Sequence, residues 1–228
     1  MRRVFNSIAI ALALNATAFT QQPHDSQDPT KTLPKSYKVE FENDWVRVVR
    51  AHYDAKATLP EHEHPGGITV YLYFNASSGV LFSHDDGVPI TRPAVQPGAI
   101  RIASGPVEHH TATNLADAPT DFLRVLLKNS DVAVKGRPLS RMAPGVMEYD
   151  NTMVHVSRIN VQPGTKTRVE ARNHPTLRIA WVPGKTEWKI AAKDGYRFLD
   201  KGTTEEFEAT GDVPMQLVTI ELRIAKPR

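Results

Sequence analysis

Val46-Arg47-Val48-Val49-Arg50-Ala51-His52-Tyr53 decides the fold of this chain. It is rich in β-branched residues and largely alternates apolar with polar, the period-two pattern of a β-strand. Further runs of the same kind follow along the chain. Thr69-Val70-Tyr71-Leu72-Tyr73-Phe74 is one, and Gly79 to Ser83 is another, ending at the turn His84-Asp85-Asp86-Gly87. Ala99-Ile100-Arg101-Ile102-Ala103-Ser104 begins after the Pro97-Gly98 turn, and Phe122-Leu123-Arg124-Val125-Leu126-Leu127 closes the first half. Short strands punctuated by Gly, Pro and Asp-Gly predict an all-β sandwich or barrel. Helical periodicity is scarce, and only Leu139 to Met147 suggests a short helix.

Upstream of these strands the composition changes. Met1-Arg2-Arg3 is basic, Val4 to Leu14 is mostly apolar, and Ala16-Thr17-Ala18 is a small-x-small cleavage pattern. This is the layout of a secretory signal over residues 1–18, and the apolar run is too short to span a bilayer comfortably. Residues 19–36 are polar and proline-containing, which predicts a flexible tether. The expectation is an exported protein, periplasmic or secreted, with no membrane association once the signal is removed. The sequence contains no cysteine, so disulfides and a lipid anchor on cysteine are excluded, and the core alone must stabilise the fold. The net charge of +3 includes Arg2 and Arg3, leaving +1 for the rest of the chain. Basic residues are spread among acids without forming a block, so no nucleic-acid partner is expected.

The second half repeats the first. An offset of 110 places Val46 on Val156, Val49 on Ile159, Leu59 on Val169, Tyr71 on Trp181 and His64-Pro65 on His174-Pro175. The closing strand returns as Pro119 to Leu127 against Pro214 to Leu222. A duplication of this kind predicts two barrels, over residues 37–130 and 148–228, joined by a linker at 131–147.

Two histidine motifs sit in the first copy. Glu61-His62-Glu63-His64-Pro65 places two imidazoles on one face of a strand, because side chains alternate, and turns Glu61 and Glu63 to the other face. Gly105-Pro106-Val107-Glu108-His109-His110, followed by Asn114, supplies a third histidine. Neutral imidazoles suit a divalent transition metal. Of the adjacent pair only one can face the site, and the spacing to Asn114 favours His110 over His109. In the second copy His62 falls on Arg172 and His110 near Glu205 or Glu206, so the expected metal site of His62, His64 and His110 exists once. His52, His84 and His155 are read as ordinary strand or turn residues.

These two motifs resemble the signature motifs of the cupins, small jelly-roll β-barrels, and the whole resembles a bicupin with a degenerate second copy. The resemblance implies two tandem jelly-roll barrels and His62, His64 and His110 as metal ligands. The glutamate that family members carry after the His-x-His should fall near Ile68 or Thr69, with Thr69 the better match, and neither is an acid. The implied site is therefore three histidines without an acid, and the metal keeps its full charge, which favours an anionic or chelating substrate. Among cupin-like proteins such three-histidine iron sites are associated with oxygen-dependent cleavage of diketone-type substrates and with thiol oxidation.

If Thr69 faces the metal, Tyr71 and Tyr73 face the same way and become candidate catalytic groups that orient substrate or move a proton. Phe82 and Phe122 lie on strands whose facing the sequence leaves open. Ile100 and Ile102 are the expected interior positions of their strand, which turns Arg101 to solvent. Three functions fit this arrangement. One is an iron dioxygenase acting on an anionic or enolisable small molecule. Another is a metal-dependent isomerase or lyase using zinc, manganese or nickel as a Lewis acid. The last is a non-catalytic barrel that holds a small ligand. The chain is expected to act as a monomer or homodimer.

Overall fold

The computed structural model describes residues 27–84, 87–130, 140–142, 148–170, 173–191, 195–209 and 211–224. The signal expected over residues 1–18 lies outside them. Among the described residues no helix is long and apolar enough to cross a membrane.

The first half contains β1 (Tyr37–Glu42), β2 (Val46–Tyr53), β3 (Thr58–His64), β4 (Gly67–Tyr73), β5 (Val80–His84), β6 (Pro89–Arg92), β7 (Ile100–Gly105), β8 (Glu108–Asn114) and β9 (Thr120–Leu127). Then come β10 (Ser140–Met142), β11 (Glu148–Asp150), β12 (Val154–Val161), β13 (Lys166–Glu170), β14 (Thr176–Val182), β15 (Lys189–Ile190), β16 (Tyr196–Leu199), β17 (Thr204–Glu208) and β18 (Met215–Leu222). Strands β1-β2-β9-β4-β7-β10 form one sheet and β3-β8-β5-β6 the sheet facing it. The second half repeats the plan with β11-β12-β18-β14-β15, with β16 also on β14, opposite the pair β13-β17. All pairings are antiparallel, and the fold is all-β as the strand pattern predicts. Ser140–Met142, where the sequence hinted at a helix, is instead a strand paired to β7.

Residues 27–36, the end of the segment read as a flexible tether, are structured. Asp28 caps a single helical turn, α1 (Pro29–Thr32), by accepting from the Thr30 amide. The same carboxylate pairs with Arg47 at 2.9 Å, which ties the turn to β2.

Alternation on the large sheets explains the packing. Val46, Val48, Ile68, Val70, Leu72, Ile100, Ile102, Leu123, Val125 and Leu127 point away from their own barrel. They pack against Val154, Val156, Leu177, Ile179, Trp181, Val218, Ile220 and Leu222 of the second half in one shared core. Each large sheet is thus buried on both faces, and every residue of β4 is buried. Arg158 crosses the seam to donate to the Gly98 carbonyl at 2.7 Å. Gly98 itself has φ +77°, and a Cβ there would lie 2.4 Å from the Trp188 ring, so only glycine fits.

Two-sided burial overturns two readings of the sequence. Ile100 and Ile102 face the seam, so Arg101 turns into the first barrel rather than to solvent. The repeat register also shifts. Tyr71 pairs with Arg124 on the closing strand, and Arg178, not Trp181, pairs with the matching Thr219. Trp181 points to the seam, where its indole meets Phe74 with ring centroids 6.2 Å apart. Strands that are apolar on both faces carry no alternation by which to fix the register.

Candidate metal centre

The side chains that β2, β4, β7 and β9 turn inward meet those of the β3-β8-β5-β6 sheet. Tyr37, Val49, Tyr53, Leu59, Tyr71, Tyr73, Phe82, Ala112 and Phe122 form the apolar lining. On β3 and β8, His62 lies directly opposite His110, and β3 holds one extra residue between Leu59 and His62 relative to its partner. This bulge resets the alternation so that Leu59 and His62 both point inward.

His62, His64 and His110 are buried, and each offers a ring nitrogen within 4.8 Å of the others. Transition-metal ligands about 2.0–2.1 Å from an ion stand closer together than this, so modest side-chain rotation would close the site. His62 Nδ1 lies 2.7 Å from the Pro60 carbonyl, to which it donates, leaving Nε2 with its lone pair directed into the cluster. Tyr37 Oη is 2.9 Å from that Nε2 and 2.6 Å from Tyr53 Oη, so the hydroxyl can turn to Tyr53 and free the lone pair. Both ring nitrogens of His110 are buried without a hydrogen-bond partner. A buried unsatisfied imidazole is costly, and a metal would supply its missing partner. The donor set therefore fits a divalent transition metal.

Burial holds all three imidazoles below their ordinary pKa of 6.5. His62 is lowered, and His64 lies well below with Arg124 adding to the effect. His110 is pushed down to about 2, by burial first and then by the neighbouring His62. The unfolded chain protonates these rings as the pH falls below 6.5, whereas the folded chain resists. Their contribution to stability is therefore intact above pH 6.5 and declines below it. His52 acts in the opposite sense, its pKa raised by Asp121, but it stands alone against three. Urea unfolding of chelator-treated protein should show lower stability at pH 5.5 than at pH 7.5, and equal values would contradict this account.

The other candidate residues are placed as follows. His109 faces outward, with Nε2 2.8 Å from Glu63, and Glu63 likewise turns away from the cluster. Thr69 is buried on the inward face of β4 beside Tyr71 and Tyr73. Tyr73 packs on Phe122 with centroids 5.4 Å apart. The Tyr71 ring has Arg92, Arg124 and Arg101 at 5.1, 5.6 and 5.8 Å from its centroid. Burial alone would raise the Tyr71 phenol, but Arg124, Arg92 and Arg101 outweigh it and the net shift is downward. His84, read as an ordinary turn residue, has its ring 5.5 Å from that of His110.

Sequence reasoning missed Tyr37, Tyr53, Arg92 and Arg124. Arg124 contacts His64 Nδ1 through Nη1. A charge in the middle of an apolar closing strand was the available signal, since arginine is rarely buried without a partner. Asn114 belongs to the scaffold rather than to the metal centre. Its amide donates to the carbonyls of Tyr53, Asp54 and Ala118, and its oxygen accepts from Ala116 N and Thr120 Oγ1. Asn114→Ala would strand these buried groups and should cost about 2–3 kcal/mol in thermal or urea unfolding, whereas a loss near zero would remove this role.

The second barrel has no such cluster among its described residues. At the level of Tyr71 stands Arg178, fully buried, with Nε and Nη2 on the Glu205 carboxylate at 3.0 and 2.8 Å. This ion pair lies among the inward-facing side chains of the second barrel, with Phe207 against the guanidinium. A separate cavity of about 240 Å³ is lined by His155, Arg168, Glu170 and Glu221, while cavities beside His64 and Tyr71 measure only about 30 and 20 Å³. Size here does not follow the chemistry, because the first barrel is filled by its own arginines and tyrosines.

The chain has the bicupin fold, two cupin-type barrels in tandem, with a three-histidine cluster in the first. Among solved structures the chain is similar to a bacterial pirin, YhhW, from Escherichia coli in complex with nickel(II), at 11% identity over 82% of this chain and 90% of that one, TM-score 0.55. It is also similar to AerE from Microcystis aeruginosa (11% identity, 82% and 97% covered, TM-score 0.52). A third likeness is to quercetin 2,3-dioxygenase from Acinetobacter baumannii (12% identity, 79% and 76% covered, TM-score 0.50). At these identities the likeness is one of fold. No protein-family model matches the chain, and no curated protein matches it.

Proposed function

We propose that the first barrel is a metal-dependent enzyme site that acts on a small anionic or enolisable molecule, with iron and molecular oxygen as the leading chemistry. The observation that carries this reading is the buried His110 imidazole, both nitrogens without a hydrogen-bond partner and Glu108 no nearer than 3.9 Å, facing His62 and His64. Bound iron would supply open coordination positions for substrate and oxygen. The chain's own residues do the rest. Tyr37 and Tyr53 hold the second layer of hydrogen bonds around His62, the aromatic lining excludes water, and Tyr71 is placed to exchange a proton with bound substrate.

A second reading is Lewis-acid isomerisation or lysis with zinc, manganese or nickel. The lowered Tyr71 phenol favours it, because a phenol that gives up its proton more readily can serve as a base. Oxygen uptake separates the two. Protein loaded with iron(II) should consume oxygen with a diketone or enolisable acid, and His62→Ala/His64→Ala should not. Turnover with zinc and no oxygen uptake would select the second reading. Failure to retain any divalent metal would refute both.

A further inference from the structure

Three guanidiniums enter the first barrel beside the histidines. Arg101 comes from β7, Arg124 from β9 and Arg92 from the end of β6. All three surround the Tyr71 ring. Arg92 is accounted for, since it lies 4.2 Å over the Phe82 ring and 3.6 Å from Glu108. Arg101 Nη1 and Arg124 Nε are buried without a hydrogen-bond partner, and so is Ser104 Oγ nearby on β7. Glu108 is the one carboxylate that reaches this trio among the described residues, so the charge is uncompensated. Buried cations left without an anion are strongly disfavoured unless a ligand completes them.

Arg124 lines both small cavities, the one that reaches His64 and the one that reaches Thr69 and Tyr71. At about 30 and 20 Å³, each exceeds the roughly 10–15 Å³ that a single water needs, yet excludes a bulky group. A planar carboxylate matches the fork of a guanidinium better than a tetrahedral anion does.

We propose that Arg101 and Arg124, backed by Arg92, form a receptor for a carboxylate group, so that the substrate is a small carboxylic acid held with its reactive end towards His62, His64 and His110. The role of that reactive end rests on the metal-site reading, but the receptor itself does not need the metal.

Malonate titrated calorimetrically into chelator-treated protein tests the receptor. Binding is expected in the wild type, weakened by at least about tenfold in Arg101→Gln and in Arg124→Gln, the loss of one charge-assisted contact. The exposed variant Lys189→Gln should bind as the wild type does. No binding by the wild type, unchanged binding in both arginine variants, or phosphate binding as tightly as malonate would overturn the proposal. If the arginine variants fail to fold, the wild type decides alone. Malonate must raise its unfolding temperature more than chloride or phosphate at equal ionic strength, and no such difference overturns the receptor. Because the titration is done without metal, a protein that binds malonate but never holds metal would sink the enzyme reading and leave the receptor standing.

Discussion

Glu205→Ala is expected to destabilise the protein by about 3–5 kcal/mol, the cost of stripping a buried guanidinium of its carboxylate. Arg178 has no exposed side-chain surface, and Glu205 meets it through two parallel hydrogen bonds while Phe207 lies 4.9 Å beneath its guanidinium. The pair itself need not stabilise the fold, because removing two charges from water offsets most of their attraction. Arg178→Leu/Glu205→Leu should therefore recover most of the loss, and the difference between single and double variants isolates the stranded charge. Urea unfolding of the variants measures this. A single variant within about 1 kcal/mol of the wild type would show that Arg178 finds water instead.

His110→Leu is expected to act in opposite directions on metal and on stability. Loss of one of three imidazoles should weaken metal binding by more than the 10–100-fold typical of losing an outer-layer contact. Metal analysis after dialysis should then fall from near one ion per chain to background. Yet the metal-free variant should be more stable than the metal-free wild type by about 1–2 kcal/mol, because a leucine fills the site without burying unpaired nitrogens. Unfolding in the presence of chelator reads the second effect. A leucine variant that is less stable than the wild type would mean that His110 already has a partner the fold depends on.

Much of this was legible in the sequence, and the remainder was hidden for identifiable reasons. The strands and the three histidines follow from alternation and spacing: alternation admits only one of His109 and His110, and the spacing to Asn114 selects His110. The same rule fails on β7, where it assigns Ile100 and Ile102 to the barrel lining. They line the seam instead, and Arg101 takes the inward place. Alternation reports which residues share a face, and it cannot say which face is which once both are buried. The match of Tyr71 to Trp181 failed for the same reason. Tyr37 carries no motif and reaches His62 only through the fold, while the bulge before His62 has no sequence signature beyond Pro60.

The shared seam has a consequence for how the two copies could change after duplication. The inside of the second barrel accommodates the buried Arg178–Glu205 pair and, among other second-half strands, a cavity of about 240 Å³. Its outer sheet is committed to packing, since Leu177, Ile179, Trp181 and Ile220 cover the outer face of the first barrel's large sheet. The second barrel is thus needed as architecture whether or not it carries chemistry of its own.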